Sequence, residues 1–340
     1  MMNLLAQWRA RRSDEGKEQA ALKRAAARAG AAMKRLTGAD DGSRISGVVA
    51  VMPYYGDDHL LAWILSYYRT LGVVFFVFLD WSEAGDLVEH LAETADCAVW
   101  RSKAGPETTD TLHALNFLRH RYAEGKWCLS VEPFDVLVFP HSETRHIRDL
   151  IDFLENEQRS LVHAIVVDAY ARGSARAINH SDTISPHQAL PYVDRLGYQT
   201  CPPTERKLLP IIGGVQRRSI YGEVPEQAPA LNRIPLVKIT PERYYVSSTT
   251  LMNLPELNAA HSDWHSTPTS CLLRYALLCG DSSLSLAANM EGKQDEAGLG
   301  SLLQGSIAMT EMNLITSASA GWRSSQDLVD CGLINNGQWF

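Results

Sequence analysis

The 340-residue chain has no long hydrophobic run; its longest uninterrupted apolar stretch is Val73–Leu79 (VVFFVFL). A membrane span needs about 20 apolar residues, so this stretch reads as a buried strand. Paired cysteines are missing too. Cys97, Cys128, Cys201, Cys271, Cys279 and Cys331 are scattered with no C-x-x-C among them, which excludes a zinc ribbon or redox motif and leaves ordinary reduced thiols. No G-x-G-x-x-G follows the first strand, which removes support for a nicotinamide-type dinucleotide fold. The chain also lacks G-x-x-x-x-G-K-[ST] and G-x-S-x-G, which excludes a P-loop NTPase and counts against an α/β-hydrolase. His261 and His265 stand at i, i+4, but Ser262 occupies the place where a zincin carries Glu, so a structural or surface pair is expected.

Apolar residues make up 45% and charged residues 21%, an ordinary globular balance that excludes a disordered or collagen-like chain. Positive charge is scarce outside one segment. Residues 1–35 hold nine Lys/Arg against three acids, a net of +6, which leaves −13 on the remainder of a chain whose total is −7. An acidic body argues against nucleic acid as a partner, because a phosphate backbone needs a basic track. The start, MMNLLAQWRARR, lacks the charged-then-apolar pattern of a secretory signal, so a cytoplasmic location is expected. Leu4, Leu5 and Trp8 beside Arg9, Arg11 and Arg12 suit peripheral contact of residues 1–37 with the anionic inner face of a membrane. A solvated leader helix or an oligomer contact explains the same residues.

Residues 1–43 read as a basic helical N-terminal extension. Lys17–Arg35 is rich in strong helix formers, and one or two helices are expected over 1–37. From Ile45 the pattern changes. Ile45–Met52 and Val73–Leu79 read as buried strands, with a helix between them carrying Leu60, Leu61, Ile64, Leu65, Tyr68 and Leu71 at helical spacing. Leu87–Leu91 reads as helix, Cys97–Trp100 as strand, and Leu112–Tyr122 as helix stopped at Gly125. Trp127–Val131, Asp135–Phe139 and Leu161–Val167 read as strands. Ile147, Leu150, Ile151 and Leu154 mark another helix. Apolar strands alternating with helices predict a doubly wound, mostly parallel α/β sheet covered on both faces. Ala171–Pro210 has little periodicity and reads as a functional lid or binding loop. Ile211–Ile220, Leu236–Ile239 and Tyr244–Ser247 are candidate strands, and Cys271–Cys279 a short apolar helix. Residues 44–285 form the expected main domain, and 286–340 a polar tail packing on it.

An open parallel sheet binds ligands at the carboxyl ends of its strands. The polar residues there are Tyr54, Tyr55 and Asp57 after the first strand, Asp80 after the second, Glu132 and Asp135 around the fourth, and Asp168 and Tyr170 after the fifth. Acids in that pattern suit a nucleotide sugar. Here the chain resembles the GT-A glycosyltransferases of the family 2 type, the bacterial branch related to family 92, over roughly Val48–Tyr275. The resemblance runs through Val49-Ala-Val-Met-Pro-Tyr-Tyr-Gly-Asp-Asp-His-Leu-Leu-Ala-Trp63, Leu71-Gly-Val73 and Asp80-Trp81. It continues through Asp194-Arg-Leu-Gly-Tyr198, Gly213-Gly-Val-Gln-Arg-Arg218, Asn232-Arg-Ile-Pro-Leu-Val237 and Leu272-Leu-Arg-Tyr275, with a weaker echo at Trp322–Ile334. The family's metal motif, Trp-x-x-x-(Ile/Val)-Asp-x-Asp-Glu-Phe-Leu-Val, corresponds to Trp127-Cys-Leu-Ser-Val-Glu132-Pro-Phe134-Asp135-Val-Leu-Val138.

The resemblance implies a GT-A-like fold and transfer of a sugar, with inversion, from a nucleotide-diphospho donor to a polysaccharide or lipid-linked acceptor. It implies donor contacts from Tyr54, Asp57, Asp80, Arg217, Arg218 and Arg274. It also implies a divalent cation, Mn or Mg, on Glu132 and Asp135, and a general base at Asp168 or Asp194. The motif is altered: Glu132 replaces the first Asp, Asp135 the following Glu, and Phe134 the second Asp, where Phe cannot ligate a metal. Arg274 stands where the family has His. Arg274, or the pair Arg217 and Arg218, is then the expected substitute charge on the diphosphate, unless that pair merely alternates across a strand. A catalytically degenerate relative that binds an active glycosyltransferase is the alternative reading.

Overall fold

A computed structural model describes residues 2–56, 58–82, 86–91, 94–103, 110–178, 185–202, 210–247, 250–251, 269–292 and 299–336. Asp57, His261 and His265 lie outside the described residues. Within them the helices are α1 (Met2–Ala31), α2 (Asp58–Leu71), α3 (Asp86–Leu91), α4 (Thr111–Ala123) and α5 (Ile147–Asn156). They continue as α6 (Pro186–Ala189), α7 (Gly214–Ser219), α8 (Asp281–Gly292), α9 (Leu299–Met309) and α10 (Ser325–Asp330). The strands are β1 (Met33–Thr37), β2 (Val48–Tyr54), β3 (Val73–Asp80), β4 (Cys97–Ser102), β5 (Trp127–Ser130), β6 (Asp135–Val138), β7 (Leu161–Asp168) and β8 (Tyr192–Asp194). After them come β9 (Gln199–Thr200), β10 (Ile211–Ile212), β11 (Asn232–Lys238), β12 (Tyr245–Ser247), β13 (Thr250–Leu251), β14 (Cys271–Arg274) and β15 (Ser319–Gly321).

Nine strands form one sheet in the order β1-β4-β3-β2-β5-β11-β7-β14-β6. Strands β4, β3, β2, β5, β7 and β14 run one way; β1, β11 and β6 run the other. The protein is therefore α/β with a large, mostly parallel central sheet. All seven residues of β2 are buried, as a strand covered on both faces must be. From β2 the chain winds outward through β3 to β4, then returns to place β5 on the other side of β2. The order reverses between β2 and β5, and such a switch point opens a crevice at the carboxyl edge.

Local chemistry explains the helices. Leu60, Leu61, Ile64, Leu65, Tyr68 and Leu71 are buried along α2, and Gly72, at φ +101°, ends it. Asp110 caps α4 by accepting the His113 backbone N–H at 3.1 Å. Ile147, Leu150, Ile151 and Leu154 form the buried stripe of α5. Helix α4 packs on β2, β3 and β5, and α1 packs on α4. The short edge strand β6 is covered by α2: the Tyr68 hydroxyl donates to the Asp135 carbonyl at 2.9 Å and accepts from the Leu137 N–H at 3.1 Å.

Several sequence expectations change. Residues 33–37 form an edge strand, not helix, paired antiparallel to β4 with Lys34 and Arg35 exposed; charge on an edge strand blunts further pairing. Cys271–Cys279 is strand β14 followed by a 3-10 turn at Ala276–Leu278, not a helix, because a short apolar run between two strands serves either geometry. Ile211–Ile220 is strand only at Ile211–Ile212; the positive φ of Gly214 turns the chain into α7. The last fifty residues are less polar in effect than in composition: Leu302, Leu303, Trp322, Leu328 and Ile334 all join the hydrophobic core. Trp322 and His187 meet edge-on at 4.6 Å between ring centres, beside Trp63 and Tyr275. Among the described residues, no helix is long and apolar enough to cross a membrane.

Two glycines separate backbone need from mere tolerance. Gly38 sits at φ +84°, and a Cβ there would lie 2.0 Å from the Cys97 carbonyl oxygen, whereas a Cβ on Gly16 meets nothing within 4 Å. Gly38→Ala is expected to cost roughly 1–3 kcal/mol. Gly16→Ala, in helix α1, should gain up to about 1 kcal/mol. Chemical denaturation of the two variants checks the opposite signs.

Candidate functional site

The carboxyl edge gathers the charged residues. Asp168 ends β7 and Arg274 ends β14, in parallel register with each other; Arg274 pairs in antiparallel register with Asp135, the first residue of β6. Residues opposite one another across a sheet project to the same face, so the row Asp168–Arg274–Asp135 is built by strand pairing itself. Arg274 Nε and Nη2 donate to Asp135 Oδ1 and Oδ2, both at 2.8 Å. The guanidinium also lies 5.5 Å from the centre of the Phe134 ring, a cation–π distance. Arg274 is only 1% exposed. Its Nη1 is buried with no hydrogen-bond partner.

Glu132 joins this row from the loop after β5. Its Oε2 accepts the Tyr55 hydroxyl at 3.2 Å, which bridges the ends of β2 and β5 at the switch point. Glu132 and Asp135 line a cavity of about 60 Å3 with Arg119, Ser130, Arg233 and Tyr245. Arg119 donates to the Ser130 hydroxyl at 2.9 and 2.6 Å and stacks over the Tyr245 ring at 4.2 Å. Arg233, at the start of the reversed strand β11, donates to the carbonyls of Ala230 and Asn232 at 3.1 and 2.6 Å. Asn116 pins α4 to β12 by bonding both the carbonyl and the N–H of Tyr245, at 2.8 and 3.0 Å.

The electrostatics follow from burial first and from neighbouring charges second. Burial pushes the Glu132 carboxyl up to about 7; the Asp135 charge adds to this, while Arg274, Tyr55 and Arg233 pull it back. Burial likewise pushes Asp168 up to about 6; Arg274 opposes this and Asp135 reinforces it. Burial works against the charge on Arg274, but Asp135, Asp168 and Glu132 outweigh it, so the guanidinium holds its proton more firmly than usual.

The other expected residues are occupied elsewhere along the edge. Tyr54 is buried at the end of β2, where its carbonyl accepts the Trp81 N–H at 2.8 Å. Asp80 is fully buried at the end of β3. Its Oδ1 accepts the N–H and hydroxyl of Ser82 at 2.9 and 2.6 Å, and its Oδ2 pairs with Arg101. Asp194 takes Arg218 Nε and Nη2 at 2.6 and 2.9 Å and the Tyr170 hydroxyl at 2.5 Å. Arg218 also donates to the Leu314 carbonyl at 2.5 Å, and the Ser319 hydroxyl donates to the Tyr170 oxygen at 2.7 Å. Asp194 and Arg218 thus tie β8 and α7 to the C-terminal segment. Arg217 and Arg218 lie on helix α7, not on a strand. Gly213 lets backbone approach Tyr198: a Cβ there would lie 2.7 Å from the Tyr198 Cα.

Arg119, Ser130, Arg233 and Tyr245 escaped sequence reasoning. Arg233 stood inside a recognised landmark, but only the reversal of β11 brings it to the carboxyl edge. A divalent cation fits this set poorly: Asp135 offers its chelating side to Arg274, and Phe134 has no donor atom. Among the described residues, no group of three or more His, Cys, Asp or Glu side chains is placed to hold a metal ion.

The raised carboxyls make stability depend on pH. Each folded-state value lies above its ordinary one, 4.5 for Glu132 and 3.8 for Asp168, so the folded protein holds more protons than the unfolded chain between about pH 4 and 7. Stability therefore falls as pH rises through that window. Glu132→Gln, which mimics the protonated acid, should melt above wild type at pH 8 and level with it near pH 5. Calorimetric melting at the two pH values checks this.

No protein-family model matches the chain, and no curated protein matches it.

Proposed function

We propose that the protein is a GT-A-like glycosyltransferase that moves a sugar from a nucleotide-diphospho donor to a polysaccharide or lipid-linked acceptor, with inversion. The observation that carries this reading is the convergence at the switch point. The Tyr55–Glu132 contact joins β2 to β5, and the row Asp135–Arg274–Asp168 lies beside it on the same edge. Open α/β sheets bind their ligands in such a crevice, which supports the reading. The outward winding from β2 to β4, the return to β5 and the reversed β11 support the GT-A-like assignment.

In this reading Asp168 is the general base. Its carboxyl, pushed up to about 6, is basic enough to take a hydroxyl proton and still largely ionised at neutral pH. The acceptor oxygen forms its bond to the anomeric carbon as the carbon–oxygen bond to the diphosphate breaks. The acceptor's proton goes to Asp168 and the nucleoside diphosphate leaves. Arg274 supplies positive charge near the leaving group.

One observation favours the degenerate, partner-binding alternative. The cavity at Glu132 measures about 60 Å3, room for a few waters, whereas small-molecule pockets run to roughly 300–1,000 Å3. A donor-hydrolysis assay separates the two. The transferase releases nucleoside diphosphate from one nucleotide sugar, and Asp168→Asn lowers that rate roughly 100- to 10,000-fold while thermal stabilisation by the donor persists. Failure of every nucleotide sugar to stabilise or to be hydrolysed leaves the partner-binding reading.

A further inference from the structure

The candidate site makes no use of the basic helix α1. Small residues set the rotation of this helix on the body. Ala26 and Gly30 are buried where α1 packs on α4, and a Cβ on Gly30 would lie 2.3 Å from the Phe117 ring. That close approach turns the opposite face to solvent. Arg24 and Arg28, one helical turn apart, lie on that face with Lys23 at its flank, and all three are exposed. Residues 16–31 of α1 carry one acid, Glu18, against Lys17, Lys23, Arg24 and Arg28.

Strand β1 continues the same charge. Lys34 is exposed and stands opposite Arg101 in antiparallel register. Asp40, the nearby acid, is engaged by Arg35 at 3.5 Å and Arg121 at 2.8 Å. The exposed Lys103 donates its Nζ to the Ala31 carbonyl at 3.1 Å and its backbone N–H to the Ala32 carbonyl at 2.9 Å. The end of α1 is therefore fastened just past the end of β4, on the same edge of the sheet as Asp168 and Arg274.

The remainder of the chain carries −13, so an anionic partner must meet this face and stay off the body. A flat bilayer does so. At physiological salt, charges more than about 8 Å away are largely screened, so the surface attracts the basic face more than it repels the body. The same helix begins with Leu4, Leu5 and Trp8 in its sequence, residue types that suit the headgroup region of a membrane.

We propose that the solvent face of α1, with Lys34 and Lys103 beside its end, docks the protein on an anionic lipid bilayer. This docking does not rest on the transferase reading.

The test uses the full chain and two kinds of vesicle: phosphatidylcholine alone, and phosphatidylcholine with phosphatidylglycerol in equal parts. The protein should sediment with the mixed vesicles and not with the neutral ones, and high salt should release it. Lys23→Gln, Arg24→Gln and Arg28→Gln combined should weaken binding roughly 100-fold, with the melting temperature unchanged. Arg148→Gln, Arg195→Gln and Arg323→Gln combined remove as much charge from exposed positions on other elements and should leave binding as it was. No preference for the mixed vesicles overturns the proposal, and so does an equal loss in the two combined variants. Tighter binding to a DNA duplex than to the mixed vesicles at the same salt, lost in the α1 variant, overturns it in favour of nucleic acid. A dimer in solution that the α1 variant dissociates, without vesicle binding, overturns it in favour of a second copy of the chain.

Discussion

The bidentate pair between Arg274 and Asp135 governs the architecture of this edge of the molecule. It is buried on both sides, with Arg274 and Asp135 each 1% exposed. A buried pair of this kind is strongly destabilising when one partner is lost, because the survivor is left as an uncompensated charge. Strand register sets its geometry: the last residue of β14 faces the first residue of β6. The pair therefore fixes where β6 begins, and with it where the loop from Glu132 through Phe134 turns. The crevice at β2 and β5 inherits its far wall from that choice.

A second ion pair does similar work away from the crevice. Arg218 and Asp194, with Tyr170 and Ser319, hold the C-terminal segment to β8 and α7. The two clusters sit at the same edge and use the same residue types, yet differ in one respect. Every oxygen of Asp194 has a donor, and Arg218 shares its N–H groups with a carbonyl. The Arg274 cluster keeps one donor unmet and one carboxyl, Glu132, near neutrality. Saturation marks the first as a fastening, whereas the second retains a buried guanidinium N–H without a partner.

Much of the α/β pattern was legible because it is written in apolar periodicity. Val73–Asp80 could only be a buried strand, and the stripe Ile147, Leu150, Ile151, Leu154 could only be a helix face. The acids at strand ends were legible for the same reason, since the strand that precedes each one is unmistakable. Pairing was not legible. Nothing local in Cys271–Arg274 distinguishes a helix turn from a strand, and only its neighbours β7 and β6 decide. The roles of the acids followed pairing too. Asp80 and Asp194 differ from Asp135 not in type but in strand position and in which arginine the fold brings alongside. Arg233 illustrates the same limit, since its relevance comes from the direction of β11, which the sequence does not announce.

The insertion of β14 between β7 and β6 has a consequence for biosynthesis. Asp135 and Arg274 are 139 positions apart in the chain. As the chain leaves the ribosome, β6 and β7 are complete long before the strand that separates them exists. Until it arrives, both carry open edges, and Asp135 has no guanidinium to meet. The central sheet is completed only once Arg274 has been made, so this half of the protein matures late and its open edges are exposed to non-native pairing in the meantime.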